Sequence, residues 1–338
     1  MPESGRLSAM SDASSQSYSL QPQRPITVKD LTIGVGATLV FFFLLLVVPM
    51  MGVVASVVTP LPTLLGFYRW GRPTGYWIPL GSLGISAAVL ALAGLFQTMV
   101  YLSELLLLGL LVAKGMRQQW AVASIVGWAG GTVFVMGGLL FWLAHGGGGA
   151  PLFAGLEGEV RVAMSALLEQ YGGTDNVQVT ALKHSLEAVV PFVVRLLPGL
   201  AAGSILLIAW FNLLLASHFC RLHRLPLPAW PAWNQWKSPE ILVWPLIAAM
   251  FLVLMGHSIP RLLGFNLLIV LGVIYLLHGL AVVAFYFERW KLPGVVRGLG
   301  YGLIFLQQLV SLVIMVLGLF DLWLDFRRLA KKPVSNAS

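Results

Sequence analysis

Apolar residues in this chain come in long unbroken runs, with polar residues in short clusters between them. The runs cover residues 31–68, 78–97, 99–113, 120–144, 199–219, 241–255, 262–287 and 299–320. About 18 or more apolar residues in a row predict a membrane span, because roughly 20 residues rising ~1.5 Å each cross a ~30 Å hydrocarbon core. The runs are continuous rather than alternating, which predicts helices and not the strands of a barrel. Proline removes a backbone donor and clashes with the preceding turn. Pro49, Pro60 and Pro62 therefore divide the first block into a span ending near Val48 and a shorter returning segment ending at Tyr68. The pattern predicts an all-α, polytopic integral membrane bundle of about eight or nine hydrophobic segments.

Two stretches break this pattern. Residues 1–28 are rich in Ser, Gln and Pro and have no apolar periodicity, which predicts a disordered cytoplasmic tail. Residues 145–198 carry Glu157, Glu159, Glu169, Asp175 and Glu187 against Arg161, Lys183 and Arg195. Within them Val160, Met164, Leu167, Leu168 and Tyr171 recur at helical spacing, as do Val179, Leu182, Leu186, Val189 and Val190. Gly172-Gly173 suits a helix end, and Thr174 or Asp175 suits the start of the next. This predicts an amphipathic helical hairpin whose acidic balance fits the extracytoplasmic face. The predicted organisation is thus a tail (1–28), N-terminal membrane helices (29–144), the helical insertion (145–198), C-terminal membrane helices (199–328) and a polar tail (329–338).

Composition agrees. The chain has 338 residues, 58% hydrophobic and only 10% charged, whereas soluble domains carry about 25% charged residues. Lipid must therefore be the solvent for most of the surface. The formal charge of +8 does not point to nucleic acid, because the bases sit in short clusters between apolar runs, as the positive-inside pattern requires. Basic loops at 69–72, 114–117, 221–237 and 289–297 share one side if residues 31–68 cross twice with the N-terminus inside. Nine crossings then put the C-terminus outside, against Arg327, Arg328, Lys331 and Lys332. Eight would put both ends inside. Cys220 is the only cysteine, which excludes an intrachain disulfide, a CxxC pair and a cysteine metal cluster.

Several polar residues interrupt the spans. Glu104 is the only acid between Asp30 and Glu157. An ionisable group inside a span usually faces the bundle interior or a cavity, so Glu104 reads as a ligand-binding or proton-accepting carboxylate, or as a residue ending a short helix near a membrane face. Asn212, Asn266, His278, Gln307 and Gln308 must find partners in lipid. They read as interhelical hydrogen bonds or, with Glu104, as the lining of a substrate pocket. Asp321 and Asp325 share a helical face with Arg327 and Arg328 beyond, which predicts a helix-end anchor with local ion pairs. His184 and Glu187 share a face but lack a third ligand, so no metal or other cofactor is expected. Small residues repeat at four-residue spacing, as in Gly52/Ser56, Gly84/Ala88, Ala87/Ala91, Gly127/Gly131, Gly199/Gly203 and Gly298/Gly302. They allow close helix packing, or a docking face for a partner membrane protein.

A set of ordered features carries a family resemblance. They are Pro60-Leu61-Pro62 ahead of Arg69-Trp70-Gly71, Pro191 ahead of a span holding Asn212, the entry Trp236-Lys237-Ser238-Pro239, and the closing Leu317-Gly318-Leu319-Phe320-Asp321 with Asp325-Phe326-Arg327. Over about residues 30–329 the chain resembles the YybS-like family of predicted bacterial membrane proteins, a domain of unknown function. That family is remotely similar to the substrate-binding S components of energy-coupling factor transporters. The resemblance implies a bacterial cytoplasmic (inner) membrane protein binding a small solute within a helical bundle. It also implies docking on a membrane partner that supplies the ATPases. Six spans and no large outside hairpin are usual for S components, and this chain departs from both. There is no GxxxxGK[ST], HExxH or GxSxG, so no enzyme is expected. The functional expectation is a small-solute transport or substrate-binding subunit. The alternative is a non-catalytic scaffold or assembly factor for envelope or division machinery.

Overall fold

The computed structural model describes residues 25–144, 149–172, 177–255 and 257–328. Both predicted tails fall largely outside these residues, as do Gly173, Thr174 and Asp175 and the side chains of Leu167, Leu168, Tyr171, Val179, Leu182, His184 and Leu186. Among the described residues every regular element is a helix. We number them α1 (Val28–Val47), α2 (Pro49–Val58), α3 (Pro60–Trp70), α4 (Trp77–Leu92), α5 (Met99–Arg117), α6 (Val122–Ala144), α7 (Gly149–Gly172), α8 (Val177–Leu222), α9 (Val243–Leu254), α10 (Ser258–Arg289), α11 (Gly294–Leu306) and α12 (Gln308–Leu324). Among the described residues six helices are long and apolar enough to cross a membrane, or up to seven if the bent pair of α11 and α12 is one span. Helices α2, α3 and α9 have 10, 11 and 12 residues, each too short to cross alone.

The prolines act where the pattern places them. Helix α1 opens on a capping box, in which the Thr27 hydroxyl accepts from Asp30 N–H and the Asp30 carboxylate accepts from Thr27 N–H. It stops at Val47, and α2 and α3 each begin on a proline, at Pro49 and Pro60, where a missing N–H costs nothing. Two differences from expectation stand out. The boundary drawn at 198 is not a break, since α8 runs 46 residues from Val177 to Leu222 through Pro191 and Pro198. At ~1.5 Å per residue it is about 69 Å long, roughly twice a hydrocarbon core. The run at 299–320 is not one straight rod, because α11 and α12 meet at 101°. That bend falls at the adjacent glutamines Gln307 and Gln308, and Ser311 donates its hydroxyl across it to the Ile304 carbonyl.

The chain divides into two compact units. The first holds the chain up to Gln118 with Asn212–Pro228. In its core Phe42 of α1, Leu90 of α4 and Leu102 and Leu106 of α5 pack together, all buried. Ile78 fills the space over two glycines: a Cβ on Gly34 or Gly66 would lie 2.7 or 2.4 Å from its Cδ1. Helix α3 crosses α5 at Gly109, where an added Cβ would sit 2.6 Å from the Pro60 carbonyl oxygen.

The second unit holds Gln119–Phe211 and the chain from Ala229 onward. Its tightest crossing joins α10 to α12. A Cβ on Gly279 would sit 1.9 Å from the Ile314 oxygen, and one on Gly318 would sit 2.2 Å from the Tyr275 oxygen. Only glycines allow two backbones this close, and the crossing sets the register of the polar residues beside it. Of the small-residue repeats, Gly199 and Gly203 pack on Asn266 and Val273 of α10, while Gly84, Gly127, Gly131, Gly298 and Gly302 meet nothing within 4 Å.

Candidate functional site

The Gly279–Gly318 crossing brings His278 of α10 and Asp321 of α12 face to face, with His278 Nε2 3.1 Å from Asp321 Oδ2. Beyond α12 the chain turns at Asp325, in the left-handed conformation (φ 40°), with its N–H on the Asp321 carbonyl. That turn returns Arg327 to the same point. Arg327 Nε and Nη2 donate to Asp321 Oδ2 at 3.2 and 2.8 Å, and Nη1 donates to the carbonyls of Asn234 and Trp236 at 2.7 and 3.1 Å. Ser238 Oγ lies 3.0 Å from His278 Nδ1. Side chains Ser238, His278, Asp321 and Arg327 are all buried, at most 3% exposed. Tyr286 closes the turn by donating its hydroxyl to the Phe326 carbonyl, and Lys237 pairs with Asp325 at 2.9 Å.

Charge and donor accounting define what this cluster can do. Arg327 Nη2 also lies 2.9 Å from His278 Nε2. With Nε2 bare, all five guanidinium N–H groups are used, and His278 Nδ1–H donates to Ser238 Oγ. The Arg327 and Asp321 charges offset one another in a place that water does not reach. A serine, a histidine and an aspartate side by side are also the parts of a hydrolase triad. Here the ring is reversed, with serine on Nδ1, and with Nε2 bare it is Arg327, not Asp321, that bonds to Nε2 while also holding the Asp321 carboxylate. The arrangement clamps the Trp236–Ser238 entry segment, α10 and the end of α12 together. The sequence predicts a helix-end anchor at Asp321, Asp325 and Arg327; in the structure Arg327 pairs with Asp321 and Lys237 with Asp325, and His278 and Ser238 lie against the same cluster.

The remaining polar residues are engaged separately. Asn212 is buried and donates to the Val57 carbonyl at 2.7 Å, one of the last carbonyls of α2. Asn266 Oδ1 accepts from Gly199 N–H at 2.6 Å, and its Nδ2 donates to the Arg195 carbonyl at 3.0 Å. Those two groups would pair with each other in an unbroken helix, and Pro198 lies between them. The amide of α10 thus replaces the turn that a proline opens in α8. Gln307 is exposed at the α11–α12 bend. Glu104 is half-buried in the second turn of α5 and makes no hydrogen bond or ion pair among the described residues. Of the five candidate substrate-binding residues, Asn212, Asn266 and His278 bond to different partners among the described residues.

A cavity of about 330 Å³ lies instead within the first unit, walled by α1, α3, Ile78 and the end of α8. Phe41, Pro62, Leu65 and Ile78 line it with apolar surface, and Asp30, Arg69 and Trp70 are its polar wall. The guanidinium of Arg69 lies over the Trp70 ring, 5.0 Å from its centroid. The Arg69-Trp70-Gly71 turn is shaped from α5: Arg117 donates to the Tyr68 carbonyl at 2.9 Å, and Gly71 takes φ 67° to end α3. In the sequence Arg69 stands out as part of a basic loop and, with Trp70 and Gly71, as one of the motifs of the family resemblance, but not as a binding residue. The signal for a site was the arginine–tryptophan pair itself, in a turn without acids. Among the described residues no group of three or more His, Cys, Asp or Glu is placed to hold a metal ion.

A model for a predicted membrane protein family, DUF2232, matches residues 36–322. Comparisons with curated proteins and with solved structures find no match. The chain belongs to this membrane protein family.

Proposed function

We propose that this member of the DUF2232 predicted membrane protein family is a small-solute-binding subunit of a transport assembly, with no ATPase and no catalytic activity of its own. The observation that carries the reading is the cavity of the first unit, which combines apolar walls with a few polar groups, as small-molecule sites do. The missing nucleotide loop and the buried, arginine-held Asp321 support a non-catalytic role. The resemblance to the YybS-like family and to S components points the same way. We place the protein in a bacterial cytoplasmic membrane with the N-terminus inside, eight or nine membrane segments and residues 150–197 outside. Reporter fusions test the orientation, and an inside signal at Gly173 would reverse it.

A thermal-shift screen of the purified chain against vitamins, metal ions and small organic acids tests the function. At least one compound should raise the unfolding temperature, and Ala37→Phe, which fills the cavity, should remove that shift without unfolding the protein. A shift that survives Ala37→Phe, or no shift with any compound, rejects the reading. The second reading, a scaffold or assembly factor, is favoured by one observation: Asn212, Asn266 and His278 are used in separate structural bonds. It requires a membrane partner that co-purifies and is lost when the open glycines Gly127 and Gly131 of α6 become leucine.

A further inference from the structure

We propose that the cavity of the first unit takes a small organic anion with an apolar body, its carboxylate or phosphate bound by Arg69 and Trp70. This rests on the reading of that cavity as a solute site. Arg69 Nε–H and the Trp70 indole N–H are buried and have no partner among the described residues. Both residues line the cavity. Arg69 forms no hydrogen bond or ion pair among the described residues, and its guanidinium stacks on Trp70. A guanidinium stacked on a ring keeps its in-plane N–H fork available, and that fork matches a carboxylate or phosphate. Buried donors without acceptors are costly, and an anion supplies acceptors and charge together.

The other charges nearby are engaged. Arg117 donates to the Tyr68 carbonyl, and Arg72 stacks over Tyr76. Asp30, the one carboxylate on the wall, already accepts from the Thr27 N–H and hydroxyl at 3.1 and 2.6 Å. The remaining wall is apolar, so a fully polar anion would lose hydration without compensation. A pure hydrocarbon would leave both N–H groups unpaired. The cavity, about 330 Å³, is at the low end of ligand pockets. That fits a small single-chain or single-ring acid rather than a two-chain lipid.

The test uses the full chain in phosphatidylcholine nanodiscs, with octanoate, octylamine and octanol as probes and thermal unfolding as readout. Octanoate should raise the midpoint saturably, and the amine and the alcohol should not. Arg69→Gln should weaken octanoate by about tenfold or more, as loss of a charged hydrogen bond does. Arg69→Lys should keep part of the affinity, and Arg72→Gln all of it. Trp70→Phe keeps the ring and removes the N–H, so it should weaken binding less than Arg69→Gln. Equal shifts with octylamine or octanol, or unchanged binding by Arg69→Gln, overturn the proposal. Stabilisation by phosphatidylglycerol but not by octanoate overturns the small-solute occupant in favour of a lipid headgroup. If octanoate is inert but a cationic or neutral solute stabilises the protein through Ala37, the anion class falls and the solute reading stands. If no solute acts, both fall.

Discussion

Each of the two units holds an arginine close to tryptophan, and the two arginines are in opposite states. Arg327 of the second unit uses its whole fork on Asp321, His278 and two carbonyls and is 3% exposed. Arg69 of the first unit uses none of its N–H groups on the described residues and lies on a cavity. The first is a structural joint whose guanidinium donors are all used, although Asp321 Oδ1 has no partner among the described residues. The second is an open one. In a low-dielectric setting, spare donors distinguish a binding group from a fastening group better than charge or burial alone.

The largest effect should come from breaking the finished joint. Asp321→Asn or Arg327→Gln leaves a buried charge without its partner and should cost about 3–5 kcal/mol, read from unfolding in bicelles. Replacing both together, Asp321→Leu with Arg327→Met, should cost less than either single change. Fully additive losses would show that the two do not act as a pair.

Next is the crossing that sets the register. Gly318→Ala drives a methyl into the Tyr275 carbonyl, and overpacking of this kind costs about 1–3 kcal/mol. It should also separate His278 from Asp321, so its loss and that of Asp321→Asn should combine to less than their sum.

Smaller still is Asn266→Leu, which leaves Gly199 N–H and the Arg195 carbonyl without the bridging amide, at about 1–2 kcal/mol. In a Pro198→Ala background the helix can close the turn itself, and the loss should shrink. An unchanged loss there would mean that Asn266 serves something other than the proline gap.

The smallest effect sharpens the comparison most. Arg69→Gln should change stability by less than about 0.5 kcal/mol, since the group holds no other part of the protein. A cost near that of Arg327→Gln would place Arg69 among the structural residues.

Much of the helical organisation was legible in the chain, and the interactions between helices were not. The end of α1 near Val48, the break at Pro60 and the Met99 start of α5 follow from apolar runs and prolines. The bend at Gln307 had no proline or glycine to announce it, and the helix running through Pro198 was hidden because its repair lies on another helix. Among the site residues, Asp321, Asp325 and Arg327 were readable as a group because they sit within one or two turns of each other. Ser238 carried no signal, since its meaning depends on His278, 40 residues away.

By itself the sequence determined that this is a helical protein of the membrane, and where most of its helices start and stop. In lipid each span must satisfy its own backbone hydrogen bonds, so that information is local and written in runs of apolar residues. Tertiary structure alone decided which polar side chains are spent and which are free. His278 and Arg327 meet across 49 residues, because two glycines let α10 and α12 touch backbone to backbone. Arg69 keeps its N–H groups because no acceptor among the described residues is brought to it. Partnership of that kind depends on helix register and on where a cavity is left, and neither is a property of any one segment.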